Sequence, residues 1–309
     1  MSRRRSGDGP DGLVVVDKEA GWTSHDVVAK SRGLLGTRKV GHSGTLDPDA
    51  TGVLLLGVGR VTRLLRYLTA LPKAYTCEIV LGVETSTLDD SGEVTATHAM
   101  EVTPDQVAAA AAGLTGDIMQ VPPMVSAVKV DGRRLHELAR EGKEVERAAR
   151  PVTVYRFEVS PVPGEPLRYR AEVECSSGTY VRALAADLGA ALGGGAHLRD
   201  LRRTRSGSFT EAEARPLGEI GPDVLVSPAE ALRDLPAVVV DDEARVDVGH
   251  GKVLPADGFE GEGPWRVLDA DGRLLAVYVA HRAGTVKPEV VVAPVEGPGP
   301  ASAPRAEPG

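Results

Sequence analysis

The segment from Gly41 to Gly52 places reactive side chains among glycines and a proline, and it leads into an apolar run. It reads Gly-His-Ser-Gly-Thr-Leu-Asp-Pro-Asp-Ala-Thr-Gly. Glycine tolerates positive φ angles, Pro48 fixes its own φ, and the residue before a proline is biased away from helix. Such a loop can hold the carboxylate of Asp47 in one direction, as nucleophilic or electrostatic catalysis requires. The alternative is an ordinary Asp-Pro turn whose carboxylate caps local amides.

The composition is that of a soluble globular protein. A chain of 309 residues, with 42% hydrophobic and 26% charged residues, suits a main domain of about 200 residues or more and a smaller appendage. No apolar run approaches the roughly 20 residues that span a bilayer, and the basic start does not lead into a signal-peptide core. We therefore predict a cytoplasmic protein with no membrane contact.

Neither the cysteines nor the histidines indicate a bound metal. Cys77 and Cys175 are far apart in the chain and lie in strand-like patterns, which predicts two buried free thiols rather than a disulfide. The seven histidines do not combine with these cysteines at the spacing of a zinc site. We expect no metal.

The net charge of -8 argues at first against a nucleic-acid partner, but the acidity is uneven. Residues 241–309 contain 12 acidic and 7 basic residues, and therefore hold -5 of this total. Two earlier stretches are rich in basic side chains: residues 129–150, and the four arginines Arg199, Arg202, Arg203 and Arg205. These stretches predict two basic surfaces that could bind a polyanion with an affinity that falls with salt. The alternative is a set of solvated surface arginines.

Hydrophobic periodicity and turn residues predict a mixed α+β fold. Strands are predicted at residues 12–17, 53–58, 74–81, 152–159 and 167–175, and helices at 24–35, 60–68, 104–112 and 179–192. The elements do not alternate as a strict βα repeat, so we expect a largely antiparallel sheet flanked by helices. The segment from Gly41 to Gly52 is expected to be a loop between the first helix and the second strand.

The elements group into a main domain and a small β-rich domain. We predict the main domain at residues 11–235, with a charged insertion at 121–150 that includes a short helix near 135–140. The β-rich domain is predicted at 236–293, with short strands at 237–240, 265–268, 274–280 and 290–292. Residues 1–10 and 294–309 are predicted to be disordered tails because they are rich in polar residues, glycine, proline and alanine.

Four further segments share a pattern with the Gly41 to Gly52 loop. They are Asp17-Lys18-Glu19-Ala20-Gly21-Trp22-Thr23-Ser24-His25-Asp26, Lys73-Ala74-Tyr75, Ser177-Gly178-Thr179-Tyr180-Val181-Arg182, and the basic run from Gly195 to Gly207. Together, and in this order, these motifs resemble the TruB type of bacterial tRNA pseudouridine-55 synthases. The resemblance covers about residues 12–235. The last part of the chain resembles, more weakly, the PUA-like RNA-binding module of that family.

The resemblance implies the fold of the pseudouridine synthases and a role for each matching residue. Asp47 matches the catalytic aspartate, Tyr75 the active-site tyrosine, and Arg182 the arginine that pairs with the aspartate. Leu201 matches an apolar pocket residue, and His42 a histidine that contacts the RNA around the extracted base. Substrate or RNA contacts are further expected for Lys18, Tyr180, Arg202 and Arg203, and Gly41 matches a motif glycine. The implied enzyme is a monomer that needs no cofactor and no obligate protein partner, and its substrate is the T-arm of tRNA.

The implied reaction can be related to these residue types. Converting uridine to pseudouridine breaks the C1'–N1 bond, rotates the uracil and forms a C1'–C5 bond, which requires an ionised carboxylate close to the sugar or base. Asp47 could attack the base, attack the sugar, or stabilise charge while the base detaches. Arg182 would keep it ionised. Tyr75 could replace the lost stacking of the flipped base, worth roughly 1–3 kcal/mol, and its hydroxyl could accept the proton from C5.

Three other functions are open to these residues. A hydrolase would use His42, Ser43 and an aspartate, but the spacing of a nucleophile elbow is missing. A nucleotide-binding protein would use Gly57 and Gly59, but the third glycine of the dinucleotide fingerprint is missing. An RNA chaperone would need only the basic surfaces, and Asp47 would then be dispensable.

Overall fold

The computed structural model describes residues 9–126, 129–130, 133–134, 141 and 145–292. These residues form two compact units, one containing Val14–Leu225 and the other containing Asp11–Leu13 and the chain from Val226 onward. The boundary between the two units therefore lies after Leu225, whereas the domain boundary predicted from the sequence lies after residue 235. The helix predicted near 135–140 and most of both predicted tails lie outside the described residues.

The first unit is built on a ten-stranded mixed sheet. Its strands are β1 (Gly12–Lys18), β2 (Val40–Ser43), β3 (Thr51–Val58), β4 (Lys73–Leu81), β7 (Gly116–Gln120), β10 (Arg150–Val162), β11 (Glu165–Cys175), β12 (Ala196–Ser206), β13 (Phe209–Thr210) and β14 (Arg215–Pro216). The order is β14-β1-β3-β12-β4-β11-β10-β7, with β2 on β3 and β13 on β12. Strands β12 and β3 are parallel, and β12–β4, β4–β11, β11–β10 and β10–β7 are antiparallel. The predicted α+β class with a largely antiparallel sheet is confirmed.

Shorter elements complete the first unit. Two small hairpins are formed by β5 (Val83–Thr85) with β6 (Val94–Thr97), and by β8 (Lys129–Val130) with β9 (Arg133–Arg134). The helices are α1 (Ser24–Leu34), α2 (Leu65–Ala70), α3 (Pro104–Gly113) and α4 (Val181–Ala191). Single 3-10 segments lie at Gly59–Leu64, Glu211–Glu213, Leu217–Glu219 and Pro222–Val224. None of the described helices is long and apolar enough to cross a membrane.

Local sequence sets the ends of the helices next to the site. Helix α1 begins at Ser24 because Thr23 forms a capping box, in which the Thr23 side chain accepts from the Asp26 N–H and the Asp26 side chain accepts from the Thr23 N–H. Helix α4 begins at Val181, two residues later than predicted, with Tyr180 as its extended N-cap residue. That start places Arg182 in the first turn of α4.

Alternating side chains on β4 form much of the core beneath the site. Cys77, Ile79 and Leu81 are each at most 5% exposed, and they pack in one cluster with Leu184 and Leu188 of α4. Burying a leucine or isoleucine side chain in this way stabilises the fold by about 1.5–3 kcal/mol. Strand β4 and helix α4 are thus held together, and each contributes one of the predicted catalytic residues.

One prediction about local structure was wrong, and one strand was not predicted. The segment from Gly41 to Gly52 is not a loop throughout, because β2 pairs antiparallel with β3 and leaves only residues 44–50 as the connection. The basic run containing Arg199 and Arg205 is the strand β12, which lies between β3 and β4 inside the sheet. Four arginines in seven positions obscure the alternation by which a buried strand is recognised.

The second unit is β-rich, as predicted. Its five-stranded sheet has the order β15 (Ala237–Val239), β17 (Trp265–Leu268), β18 (Leu274–Ala280), β19 (Thr285–Val291) and β16 (Leu254–Pro255). Two helices, α5 (Pro228–Ala231) and α6 (Asp242–Gly249), belong to the same unit. Trp265, Val267 and Tyr278 are at most 4% exposed in its core.

Candidate active site

The Asp47 carboxylate is carried by the loop between β2 and β3, and α1 fixes the start of that loop. The Ser24 Oγ donates to Leu46 O at 3.2 Å and accepts from Leu46 N at 2.9 Å. Within the loop, Ala50 N donates to Asp47 O at 3.2 Å. A loop tied down on both sides of its acid presents that side chain in one direction, as the Asp-Pro spacing predicted.

Lys18 fixes the other side of the same loop. Its Nζ donates to Pro48 O at 2.8 Å, to Trp22 O at 2.7 Å and to Glu19 O at 2.9 Å. The side chain is 1% exposed, and burial lowers its pKa to about 8. Three carbonyl acceptors use all the donors of an ammonium group. The structure therefore corrects the prediction that Lys18 contacts RNA: this lysine holds the Asp47 loop.

Asp47 forms an ion pair with Arg182. The Arg182 Nε lies 3.0 Å from the Asp47 Oδ2, and the Arg182 side chain is 4% exposed whereas that of Asp47 is 41% exposed. Burial among protein groups raises the pKa of Asp47, and the Arg182 guanidinium is the largest opposing influence. The pair predicted from the motifs is thus present, with an arginine that favours the ionised acid.

The two terminal nitrogens of the Arg182 guanidinium are held by groups that were not predicted from the sequence. Its Nη1 lies 3.3 Å from the Asp89 Oδ2 and donates to Thr87 O at 2.8 Å, while Nη2 donates to Val125 O at 2.8 Å. Asp89 lies 42 positions from Asp47 in a turn, and the run Asp89-Asp90-Ser91-Gly92 is a turn signal that could have drawn attention to it. Arg182 therefore lies between two carboxylates.

A cleft with two lobes runs along the ion pair. Asp47, Arg182 and Leu201 border both lobes, whose volumes are about 260 and 190 Å³. The larger lobe is also lined by Tyr75 and Tyr180. Each lobe is several times the roughly 30 Å³ that one water molecule occupies, so the cleft has room for a nucleobase. Five residues predicted from four motifs meet here.

Tyr75 and Tyr180 are held by different elements. Tyr75 lies on β4, and burial raises the pKa of its hydroxyl while the nearby Arg203 guanidinium acts in the opposite direction. Tyr180 lies before α4, where the Gln120 side chain accepts from its N–H at 2.8 Å and donates to its carbonyl at 3.2 Å. Gln120 was not predicted, and it fixes the backbone two residues before Arg182.

His42 lies on β2, outside the loop proper. Its ring is edge-on to that of His25, with 5.2 Å between the centroids. Burial and the neighbouring His25 lower the pKa of His42 below its usual 6.5, so its ring is neutral at neutral pH. A neutral imidazole can donate and accept one hydrogen bond each, which suits a polar contact better than charge neutralisation of a phosphate.

The arginines of β12 do not form an unpaired basic surface. Arg202 holds Asp17 through two bonds of 3.0 Å and Glu211 through a third of 3.0 Å. Arg205 pairs with Glu174 at 2.6 Å, and Arg199 lies 3.8 Å from Asp90. Arg203 is 1% exposed, so the prediction that it contacts RNA phosphates at the surface is corrected. In the other basic stretch, 129–150, residues 131–132, 135–140 and 142–144 lie outside the described residues.

Gly52 offers a sharp test of how the loop is joined to the sheet. It has a φ of +96°, and a Cβ there would lie 2.2 Å from the carbonyl oxygen of Arg203. Gly36 also has a positive φ, +62°, but a Cβ there would meet nothing within 4 Å. We expect Gly52→Ala to lower the free energy of unfolding by more than about 3 kcal/mol, and Gly36→Ala by about 1 kcal/mol. Urea unfolding of both variants measures the difference, and equal losses would contradict the close contact.

Known proteins match both the sequence and the fold. A profile of the TruB family pseudouridylate synthase N-terminal domain matches residues 32–181, and one of the tRNA pseudouridylate synthase B C-terminal domain matches residues 182–235. The chain is 46% identical over 297 residues to a tRNA pseudouridine synthase B of Arthrobacter sp. (strain FB24), covering 92% of this chain and 97% of the relative. It is 52% identical over 273 residues to that of Rhodococcus jostii (strain RHA1), covering 86% and 89%.

Solved structures give the same result. The chain superposes with a TM-score of 0.72 and 28% identity on a chain of a Cbf5–Nop10–Gar1 complex, covering 92% of this chain and 85% of that one. The TM-score is 0.70, with 26% identity and the same coverage, for a chain of an H/ACA ribonucleoprotein bound to a substrate RNA containing 2'-deoxyuridine.

The family profiles, the relatives and the superposed structures show that the chain has the fold of a pseudouridine synthase and belongs to this class of isomerases. More narrowly, the chain belongs to the TruB family of pseudouridylate synthases. The resemblance inferred from the motifs is thereby confirmed.

Proposed function

We propose that this enzyme converts uridine 55 in the T-loop of tRNA to pseudouridine, with Asp47 as its catalytic carboxylate. The observation that carries the proposal is the Asp47–Arg182 pair at 3.0 Å in a cleft that Tyr75 and Leu201 also line. The curated relatives described above are named tRNA pseudouridine synthase B. The proposed substrate class rests on those relatives, and the proposed chemistry rests on the residues that line the cleft.

The cleft supplies what the rearrangement needs. The C1'–N1 bond breaks, the uracil turns, a C1'–C5 bond forms, N1 gains a proton and C5 loses one, so the reaction is balanced without an oxidant or a second substrate. Asp47 either attacks the sugar or base as a nucleophile or stabilises the positive charge that develops at C1'. The Arg182 guanidinium keeps the carboxylate ionised beneath the base.

Tyr75 and Leu201 receive the flipped base. Extracting a base from a folded RNA costs a few kcal/mol, and stacking on a tyrosine ring returns roughly 1–3 kcal/mol. Tyr75 is half-buried in the wall of the larger lobe, where its ring can serve as that platform. We assign His42 and Tyr180 to contacts with the nucleotides next to it, and Tyr180 lines the same lobe.

RNA outside the cleft is held mainly by charge. The basic insertion at residues 121–150 and the partly exposed Arg199, Arg202 and Arg205 contact T-arm phosphates, and affinity for tRNA therefore falls as salt rises. The enzyme acts as a monomer without an obligate protein partner. The acidic second unit either adds RNA contacts as a PUA-like module or makes none, and deleting the residues after Leu225, where this unit begins, while measuring tRNA affinity separates these two possibilities.

Site mapping tests the proposed function directly. The purified full chain is incubated with unmodified tRNA transcripts, and pseudouridine is located by nucleotide position. We expect modification at position 55 alone, and none in a control transcript in which U55 is replaced by C. Modification at another uridine would contradict the assigned target, and the absence of any pseudouridine would contradict the activity.

A further inference from the structure

Arg203 is a fully buried arginine with no acidic partner. It is 1% exposed, and its Nε donates to Val53 O at 2.6 Å while Nη2 donates to Gly44 O at 3.3 Å. Among the described residues, no carboxylate lies within ion-pairing distance of it, whereas its neighbours Arg202 and Arg205 each have one. Burying a cation without a counter-charge costs several kcal/mol, so the charge requires a physical reason.

The position of Arg203 in the sheet joins two parts of the active site. On β12 it is the cross-strand partner of Tyr75 on β4 and of Gly52 on β3. Gly44, at the start of the loop that contains Asp47, and Gly52, near the start of β3, both lie against it. A Cβ on Gly44 would lie 3.6 Å from the Arg203 Nη1, and a Cβ on Gly52 would collide with the Arg203 backbone.

The Arg203 guanidinium also lies beside the Tyr75 side chain. Directly opposite residues of paired strands lie on one face of the sheet, and both side chains line the larger lobe. The guanidinium opposes the rise in the pKa of the Tyr75 hydroxyl. A cation here favours the orientation in which the hydroxyl oxygen faces Arg203 and the hydroxyl proton points away. One side chain therefore bonds to the start of the loop that presents Asp47 and acts on the Tyr75 hydroxyl.

We propose that Arg203 is a positioning residue that orients the Tyr75 hydroxyl relative to the Asp47 loop. Its charge acts on the phenol oxygen of Tyr75 rather than on an RNA phosphate. This proposal rests on the proposed function, in which Tyr75 and Asp47 act on one uridine. It assigns the buried charge a role, because a cation next to an oxygen favours negative charge on that oxygen.

Rate measurements in two backgrounds test the coupling. Arg203→Met is made in the full-length wild-type chain and in Tyr75→Phe, and single-turnover pseudouridine formation is followed with the KM for tRNA. We expect about a 10²-fold fall in kcat in the wild-type background, KM within about threefold, and less than about a threefold further fall in Tyr75→Phe. Equal losses in both backgrounds would show a merely structural residue and overturn the proposal.

Arg203→Lys keeps the test decisive should the methionine variant fold poorly. Lysine keeps the charge but cannot bond to Val53 O and Gly44 O at once in the way the planar guanidinium does. We expect a loss of about tenfold in kcat with little change in KM. A wild-type rate in Arg203→Lys would overturn the need for these simultaneous bonds.

A measurement without tRNA separates this proposal from the proposed function. The chain is labelled with ¹³C-tyrosine, the Tyr75 resonance is assigned by its loss in Tyr75→Phe, and its pH titration is compared between variants. Burial already raises the pKa of Tyr75, and the guanidinium opposes that rise. We expect a higher pKa in Arg203→Met than in the wild type or Arg203→Lys. An unchanged titration would overturn the proposal even if the enzyme modifies tRNA.

Salt dependence tests the competing assignment of Arg203 to a phosphate. Each phosphate contact contributes about 0.7–0.9 to the slope of log affinity against log salt. A positioning residue leaves this slope unchanged, as we expect for Arg203→Met in tRNA filter binding. A slope reduced by about one contact would return Arg203 to the RNA-binding surface and overturn the proposal.

Discussion

Asp47→Asn is expected to lower the single-turnover rate of pseudouridine formation by at least about 10³-fold. The amide keeps the size of the side chain but removes the charge, and with it both the nucleophile and the group that would stabilise a developing cation at C1'. The Arg182 guanidinium retains Asp89 as a partner at 3.3 Å, so the cleft itself should persist. The rate is measured with the enzyme in excess over an unmodified tRNA transcript.

A matched variant two positions away distinguishes the loss of a catalytic group from the loss of one negative charge in the loop. Asp49 is exposed in the same loop, and Asp49→Asn removes the same unit of charge. We expect Asp49→Asn to keep its rate within about tenfold and Asp47→Asn to bind tRNA with nearly wild-type affinity. Retained isomerisation in Asp47→Asn would contradict the catalytic role of Asp47. It would favour the alternative that the protein only binds or refolds RNA.

The sequence predicted those parts of the fold that depend on neighbouring residues. The capping box of Thr23 and Asp26 sets the start of α1, and the Pro163-Gly164 turn joins the antiparallel strands β10 and β11. Strand β12 was not predicted because its arginines are accommodated by partners elsewhere in the chain. Arg202 reaches Asp17, 185 positions away, and Arg203 reaches Val53, 150 positions away. No window along the chain contains that information.

The same distinction applies to the site. The resemblance of the motifs to the TruB family selected Asp47, Tyr75, Arg182 and Leu201, which the structure places around one cleft. The roles of the charged residues around them could not be derived, because the sequence does not show whether a lysine or arginine side chain binds RNA or backbone carbonyl groups. Lys18 proved to be buried against backbone oxygens. Burial and hydrogen-bond partners decide such cases, and both are properties of the folded chain.

Arg182→Met is expected to cause the second-largest loss of activity, about 10²–10³-fold in kcat, and to move the acid limb of the pH profile. The substitution removes the bonds to Asp47, Asp89 and Val125 O, and leaves two carboxylates facing each other without a cation between them. Like charges in one cleft raise each other's pKa. The pKa of Asp47 is already raised by burial and by Asp89, and is lowered mainly by Arg182.

The direction of the shift follows from the form of Asp47 that is active. The reaction needs the ionised carboxylate, so activity falls as pH drops through the pKa of Asp47, and losing Arg182 moves that fall to higher pH. Asp89→Asn removes the like charge instead and should move the fall to lower pH, while Arg182→Lys should lie between Arg182→Met and the wild type. The first-order rate constant of pseudouridine formation is measured against pH for the four proteins under single-turnover conditions. Shifts of the same sign in Arg182→Met and Asp89→Asn would contradict the view that charge balance around Asp47 sets the acid limb.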